Sequence, residues 1–180
     1  MAVRVLLRTP HEADREEFIA AMRGSEQFHH PWMTGVRTPV EFERLIERTR
    51  DERFDLSFLC RLEDGAIVGF FNLGEIVRGF FQSAYLGYGG VAAYAGQGYM
   101  TEGMQLLLAR AFAKLDLHRV EANIQPANDR SIALAKRSGF VREGFSENYL
   151  KIDGEWRDHE RWAIRAEQWH ALRASAPIAR

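Results

Sequence analysis

The sequence predicts a mixed-sheet α/β fold, and three observations carry that reading. Segments of strand period alternate with segments of helical period along the whole chain. Three strand candidates between residues 54 and 91 are joined by the short turns Asp64-Gly65 and Arg78-Gly79, so they pair antiparallel. The clearest helix then separates two further strands, which makes its flanking strands parallel or splayed. The order is β-α-α-β-β-β-α-β-α-β-β, and residues 1–180 are expected to form one domain.

Each element has its own local cause. Val3 to Arg8 reads as a short first strand. Thr9, Pro10 and Glu12 form a capping-box start with proline at the first helical position, and the helix through Phe18, Ile19 and Met22 ends near Gly24. Ser25 to Arg37 is expected to be a loop. Thr38-Pro39-Val40-Glu41 repeats the capping signature ahead of Phe42, Leu45, Ile46 and Thr49 at helical spacing. Residues 54–62 alternate as a strand, with Phe54, Leu56, Phe58, Cys60 and Leu62 on one face. Ile67 to Val77 is nearly continuous apolar and reads as a strand buried on both faces. Ala84 to Val91 is the next strand. Met100, Met104, Leu107, Leu108, Ala111, Phe112 and Leu115 share one face of the long helix. His118 to Gln125 is a strand with Val120, Ala122 and Ile124 together on one side. Asn128 caps a short helix that ends at Ser138-Gly139. From Phe140 a strand pair turns at Asp153-Gly154, with Trp156, Trp162 and Ile164 as core candidates; the tail after Trp169 reads as a frayed end.

Composition narrows the function. With 46% hydrophobic and 27% charged residues in 180, the chain is neither disordered, collagenous nor a coiled coil. Lys plus Arg number 24 against 25 Asp plus Glu, so direct nucleic-acid binding is not expected. No apolar run approaches the ~18 residues of a membrane span, so no membrane partner is expected. The one cysteine, Cys60, excludes an internal disulfide and a cysteine-rich zinc site, reads as a small buried hydrophobe, and leaves no metal site expected. Met1 to Pro10 carries Arg4 and Arg8 and is no signal peptide, so a cytoplasmic location is expected.

Two segments carry the chemistry. Gly89 to Thr101 is a glycine-rich stretch between a strand and the strongest helix. It reads either as a simple turn or as a pyrophosphate cradle of bare amides at a positive helix end. It lacks the Lys-Ser/Thr ending of a nucleotidase phosphate loop. The second segment, Asn123 to Ser131, follows the strand that should part from its neighbour, where a cleft would open beneath polar side chains. Asn128 there is a helix cap whatever else it does.

Gly96-Gln97-Gly98-Tyr99-Met100-Thr101-Glu102, Leu117 to Asn123, Pro126-Ala127-Asn128-Asp129-Arg130-Ser131 and Ser138 to Gly144 together resemble the GNAT acetyltransferases. The ending Ile152-Asp153-Gly154-Glu155-Trp156-Arg157-Asp158-His159 is similar to the RimJ/RimL branch, which acetylates N-terminal amines of ribosomal proteins. The resemblance covers about residues 4–165. It implies a mostly antiparallel sheet of six to seven strands, splayed centrally, with about four helices. It implies acetyl-CoA as co-substrate, held by Gly90, Val91, Ala92, Gly96, Gln97, Gly98, Tyr99, Met100, Thr101, Asn128, Ser131 and Lys136. It implies transfer of acetyl to a primary amine, here a protein N-terminal α-amine. A small amine or antibiotic as acceptor, and a non-catalytic acetyl-CoA-binding module, are the alternatives. A homodimer is the common assembly in this resemblance.

The chain departs from the family pattern at two places. Ala95 and Met100 stand where the usual loop has Gln or Arg and then Gly or Ala, and Ala135 stands where the general family has its acidic tyrosine. In the RimJ/RimL branch the serine of Pro-x-Asn-x-x-Ser is the acid, which is Ser131 here. Residues 79–98 contain no Asp or Glu, so Glu75 on the previous strand is the nearest candidate base; its competing and favoured reading is a turn-proximal surface charge. An α-amine, with a pKa near ~8 against ~10.4 for Lys, needs less help from a base. Trp32, Met33 and Tyr88 are the acceptor-side candidates, with core packing open for Trp32 and Met33. His29 and His30 read as loop residues, His118 and His159 as structural supports, and Glu102 as a first-turn acid favoured by the helix dipole.

Overall fold

The computed structural model describes residues 3–175. Seven strands form one sheet in the order β1-β2-β3-β4-β5-β7-β6: β1 (Val5–Arg8), β2 (Asp55–Arg61), β3 (Ile67–Val77), β4 (Ser83–Gly90), β5 (Arg119–Ile124), β6 (Val141–Ile152) and β7 (Glu155–Arg165). The pairing follows the expected pattern. β2, β3 and β4 form an antiparallel meander, and β4 and β5 run parallel. Six helical segments cover the sheet: α1 (Arg15–Gly24), α2 (Glu26–His29), α3 (Pro39–Arg48), α4 (Tyr99–Ala109), α5 (Asp129–Arg137) and α6 (Ala166–Ser175). Two more helices form than the sequence suggests. α2 is a single turn inside the expected loop, and α6 carries helix through Ser175 where fraying after Trp169 is expected, because Trp169 is buried against Phe112 with ring centroids 5.7 Å apart; the rest of that tail, 176–180, lies outside the described residues.

Capping decides where the helices start. Thr38 and Glu41 form the expected box, with Glu41 N donating to Thr38 Oγ1 at 3.3 Å and Thr38 N to Glu41 Oε2 at 2.9 Å. The first box shifts two residues from the expected Thr9. His11 is the cap: its Nδ1 accepts from Ala13 N at 3.2 Å, while its own N donates to Asp14 Oδ2 at 2.7 Å. Asp14 is fixed there by two 2.7 Å bonds from Arg8, a pairing invisible to local pattern. The long helix also departs from expectation after Ala109. It widens into a π-helical turn over Arg110–Lys114 that closes with Leu115 N donating to Arg110 O at 2.9 Å.

Two apolar clusters sandwich the sheet. One face carries Leu59, Phe71, Leu73, Leu86, Val120 and Ile164 against α4 and α5. The other carries Phe58, Cys60, Ile67 and Val91 against Phe18, Met22 and Phe42 of α1 and α3. β2 is therefore buried on both faces rather than one, since Leu59 and Phe58 are both fully covered. Trp162 and Ile164 are core residues as expected, whereas Trp156 is 59% exposed. Its parity is right, but β5 ends opposite Glu160, so the hairpin tip carrying Trp156 has only β6 beside it.

Candidate active site

The site begins where β4 and β5 stop pairing. Their parallel register covers only Ser83–Arg119, Ala84–Val120 and Tyr85–Glu121. Beyond Tyr85, β4 stays with β3, through Gly69 opposite Gly90, and β5 stays with β7, through Ile124 opposite Glu160. The sheet opens into a V, and the space within is a cleft of about 1150 Å³. Antiparallel ladder bonds alternate along a strand. Val91 N spends its hydrogen on Val68 O at 2.9 Å. The alternation counted back from that bond leaves the N–H and C=O of Leu86, Tyr88 and Gly90 directed away from β3, into the opening.

One wall of the cleft is the glycine loop with α4 and α5. After β4, Ala92–Tyr94 make one 3₁₀ turn, and Gly96 and Gly98 then adopt φ of +77° and +85°. Glycine occupies that region at no steric cost. The two left-handed turns aim the chain into α4 with Gly98 as its N-cap. Among the described residues, the amides of Gly96, Gly98, Tyr99 and Met100 donate to no acceptor, whereas Thr101 N already bonds Gly98 O at 3.0 Å. Arg4 braces the loop from β1's side: its guanidinium donates to Gln97 O at 3.0 Å, pairs with Glu102 and lies 4.8 Å over the Tyr99 ring. Glu102 is thus a structural partner as well as a favourable first-turn acid. On α5, Asn128 Oδ1 accepts from Ser131 N at 3.1 Å, and Asp129, Arg130, Ser131 and Arg137 line the cleft. Tyr88 crosses the opening on this same face and donates its hydroxyl to Ser131 O at 3.3 Å. Burial pushes the Tyr88 hydroxyl up to about 12, so it remains a neutral phenol.

The opposite wall comes from scattered segments. Gly89, Phe70 and Asn72 share the α1–α3 face, and Met33 lies against Gly89, whose added Cβ would sit 3.1 Å from the Met33 sulfur. The strap Glu26–Met33 closes the open end. Arg130 stacks 5.1 Å above the Phe28 ring, and Gln125 Nε2 donates to Pro31 O and Trp32 O, each at 3.3 Å. His29 is buried in this strap, not looped out: its Nε2 donates to Gly90 O at 2.8 Å. Burial holds the His29 imidazole below its usual range, with the Gly90 bond pulling weakly the other way. His159 enters from β7, one residue past the Ile124–Glu160 pair, level with Gln125.

The structure brings most of the expected site residues together and separates four. Gly90, Val91, Gly96, Gly98, Tyr99, Met100, Thr101, Asn128, Ser131, Trp32, Met33 and Tyr88 all line the cleft. Tyr88, expected on the acceptor side, lies on the α5 side beside Ser131. Ala92 is outside, its amide taken by Ser25 Oγ at 2.9 Å. Gln97 contributes its carbonyl to Arg4 and does not reach the cleft. Lys136 packs its ammonium 5.6 Å over Trp162, and it is Arg137 that faces in. Glu75 is also outside. It sits exposed at a bulge between Gly74 and Val77 with φ +50°, past the closed end of the V. Asn72, level with Gly87, is the polar β3 residue that faces the opening. Sequence reasoning misses Phe28, His29, Phe70 and Asn72 because nothing in their local pattern separates a cleft wall from a loop or a core.

A split sheet with unspent amides at a helix mouth can hold an anionic ligand that also pairs along the open strand edge. The chain belongs to the GNAT acetyltransferase family, whose domain model matches residues 4–141. Among similar proteins is a probable N-acetyltransferase of Bacillus subtilis, YjcK, 35% identical over 125 residues, covering 69% of this chain and 67% of that one. The [ribosomal protein uS5]-alanine N-acetyltransferase of Escherichia coli is 37% identical over 107 residues; the match spans 59% of this chain and only 55% of the relative. Among solved structures, Mycobacterium smegmatis RimJ in complex with CoA-disulfide is 29% identical, with TM-score 0.84 over 95% of this chain and 88% of that one. These similarities agree with the RimJ/RimL branch of the family. The seven-stranded, mostly antiparallel sheet is likewise the expected one.

Proposed function

We propose that the chain is a single-domain cytoplasmic enzyme that moves acetyl from acetyl-CoA to the α-amine at a protein N-terminus. The observation that carries the acceptor class is the charge of the cleft. Asp129, at the start of α5, is the one carboxylate among its described lining residues, while Arg130, Arg137 and two histidines also line it. A polyamine would bring several positive charges into a wall of aromatic and amide side chains and leave them unpaired. A peptide N-terminus brings one, and its pKa near ~8 leaves about a tenth of it neutral at pH 7, far more than a lysine side chain. Among the described residues, no helix is long and apolar enough to cross a membrane.

The chain's own groups suit each step. The amides of Gly96, Gly98, Tyr99 and Met100, at the positive end of α4, hold the pyrophosphate. Arg130 and Arg137 supply cations for the remaining phosphate. The free edge of β4 pairs with the amide-bearing arm of CoA, and an inward N–H of that edge, at Gly90, donates to the thioester carbonyl as charge builds on its oxygen. Val91 cannot fill that role because Val68 O occupies its hydrogen. The amine lone pair forms the N–C bond and the C–S bond breaks. Ser131 gives its hydroxyl proton to the departing thiolate and recovers one from the acidic N-protonated amide.

The test is a panel of N-terminal peptides, a free lysine derivative and a polyamine, each with acetyl-CoA, with thiol release measured. Release with the peptides at rates well above the other amines is the expected result. Equal or faster release with the polyamine points to the small-amine reading, and binding without release to any amine points to a non-catalytic module.

A further inference from the structure

We propose that His159 is the general base, taking the proton of the acceptor ammonium on its Nε2. The proposal rests on the N-terminal acetylation reading and supplies the group that Glu75 does not. His159 is 3% exposed, yet it lines the cleft. Its Nδ1 lies 2.9 Å from Arg157 O. A carbonyl only accepts, so Nδ1 carries the hydrogen and the neutral ring presents Nε2 as a bare lone pair. Nε2 makes no hydrogen bond to any described residue. The tautomer is therefore set by the backbone two residues away, and the free nitrogen is left for a ligand.

Side-chain parity places that nitrogen on the correct wall. Glu160 pairs with Ile124 and Trp162 with Ala122 on the α4 face, so His159 points to the other face, together with Asn123 and Gln125. That is the face of Met33, Phe70 and Asn72, opposite Ser131 and Tyr88. An amine approaching the thioester from there meets His159 before it meets any carboxylate. The other histidine of the cleft, His29, donates its Nε2 hydrogen to Gly90 O; its Nδ1 is also unpartnered, but it is fully buried beside Gly35, where no acceptor amine reaches it. Around His159 stand the Tyr149 ring of β6 at 6.2 Å and Asn123 and Gln125 of β5, and Arg157 and Arg161 share its face of β7. The charged residues that line the cleft, Asp129, Arg130 and Arg137, all belong to α5.

The proton balance closes. The ammonium gives one proton to Nε2 and becomes a nucleophile; the imidazolium returns that proton to water after product leaves. The second amine proton replaces the one Ser131 hands to sulfur. Overall one amide forms, one thiol forms and one proton is released.

The experiment compares two peptides, one with an ordinary N-terminal α-amine of pKa ~8 and one ending in an aliphatic amine near the ~10.4 of lysine. In the native protein, kcat/KM against pH should fall on the acid side at the same pH for both, because one enzyme group sets it. In His159→Gln the rate should follow the neutral fraction of each amine. The loss at pH 7 should be about 10-fold for the α-amine, at least ~10²-fold for the aliphatic amine, and fade above the amine's own pKa. CoA affinity, read by titration calorimetry, should not change. A uniform loss at every pH, equal for both peptides, makes His159 structural and overturns the proposal. So does a native acid limb that moves with the substrate's pKa, a measurement that needs no variant. Should the native protein release no thiol with either peptide, the function reading falls and takes this inference with it; release with an unchanged profile sinks the inference alone.

Discussion

The two walls of the cleft are built from different materials. The α4–α5 wall is mostly main chain: amides freed by two left-handed glycines, a helix N-terminus and the inward edge of β4. The strap wall is mostly side chain, drawn from α2 and the residues after it, β3, β5 and β7. Under the proposed function the difference divides carrier from acceptor. Amides recognise a pyrophosphate whatever side chains they carry, which is why Ala95 and Met100 can stand in the loop without removing a donor. A wall of side chains can change its acceptor one residue at a time and leave the carrier site intact.

The largest effect that would break this division is on chemistry. Ser131→Ala should lower kcat about 10²-fold, within the range of general acid loss. CoA affinity should hold, because the backbone N–H of residue 131 keeps its bond to Asn128. Rapid-quench turnover beside equilibrium titration separates the two, and a loss confined to affinity would move Ser131 from the reaction to the carrier wall. Next in size, Tyr99→Pro should weaken CoA binding about 10-fold or more, since a charge-assisted hydrogen bond is worth ~1.5–3 kcal/mol. Proline is tolerated at the first helical position, so the fold survives. Tyr99→Leu keeps the amide and should lose far less, which isolates the amide from the ring that Arg4 covers.

Smaller effects test the supports. Asn128→Ala removes the cap of α5 and should cost ~1 kcal/mol of stability by denaturant titration. His29 supports the strap wall and links it to pH. Its folded pKa is depressed by burial, so the unfolded chain binds its proton more readily. That contribution to stability is complete above the unfolded value of about 6.5 and is lost as pH falls toward the lower folded value. Melting temperature should therefore drop on acidification in that window, and His29→Gln should flatten the drop.

The same contrast explains what was readable from the chain. Gly96, Gly98, Asn128 and Ser131 lie within two short segments whose roles are local: positive φ, an N-cap, a first helical turn. Local pattern reports such features well. His29 and Gln125 meet Gly90 O and Trp32 O only because the strap folds back across the open V, with sequence separations of 61 and 93 residues. Thr9 loses its cap to His11 for a related reason, since Arg8 fixes Asp14. α6 escapes notice because burial of Trp169 against Phe112, rather than helical period, holds it.

The smallest expected effect is the most pointed test of the walls. Glu75 is the acid nearest in sequence to the carrier loop on its strand side, and a reading by chain position makes it the base. The register says otherwise. Gly74 pairs with Tyr85, at the last level where β4 still holds β5, and Glu75 lies beyond it on a bulge. There it is exposed, and its charge adds only slightly to the rise that Asp51 chiefly gives the Arg53 guanidinium. A carboxylate in that place is screened by solvent and separated from the opening by the closed end of the V. Glu75→Gln should therefore leave kcat/KM within about 2-fold and leave the pH profile unmoved, because an exposed group far from the proton in flight has no general-base effect to lose. Its stability cost should be as small, since surface substitutions away from caps, core and buried pairs stay within about 0.5 kcal/mol. A 10²-fold loss with an altered profile would mean that the cleft closes differently in solution, with the β3–β4 bulge turned inward. The strap wall would then not be the acceptor's side.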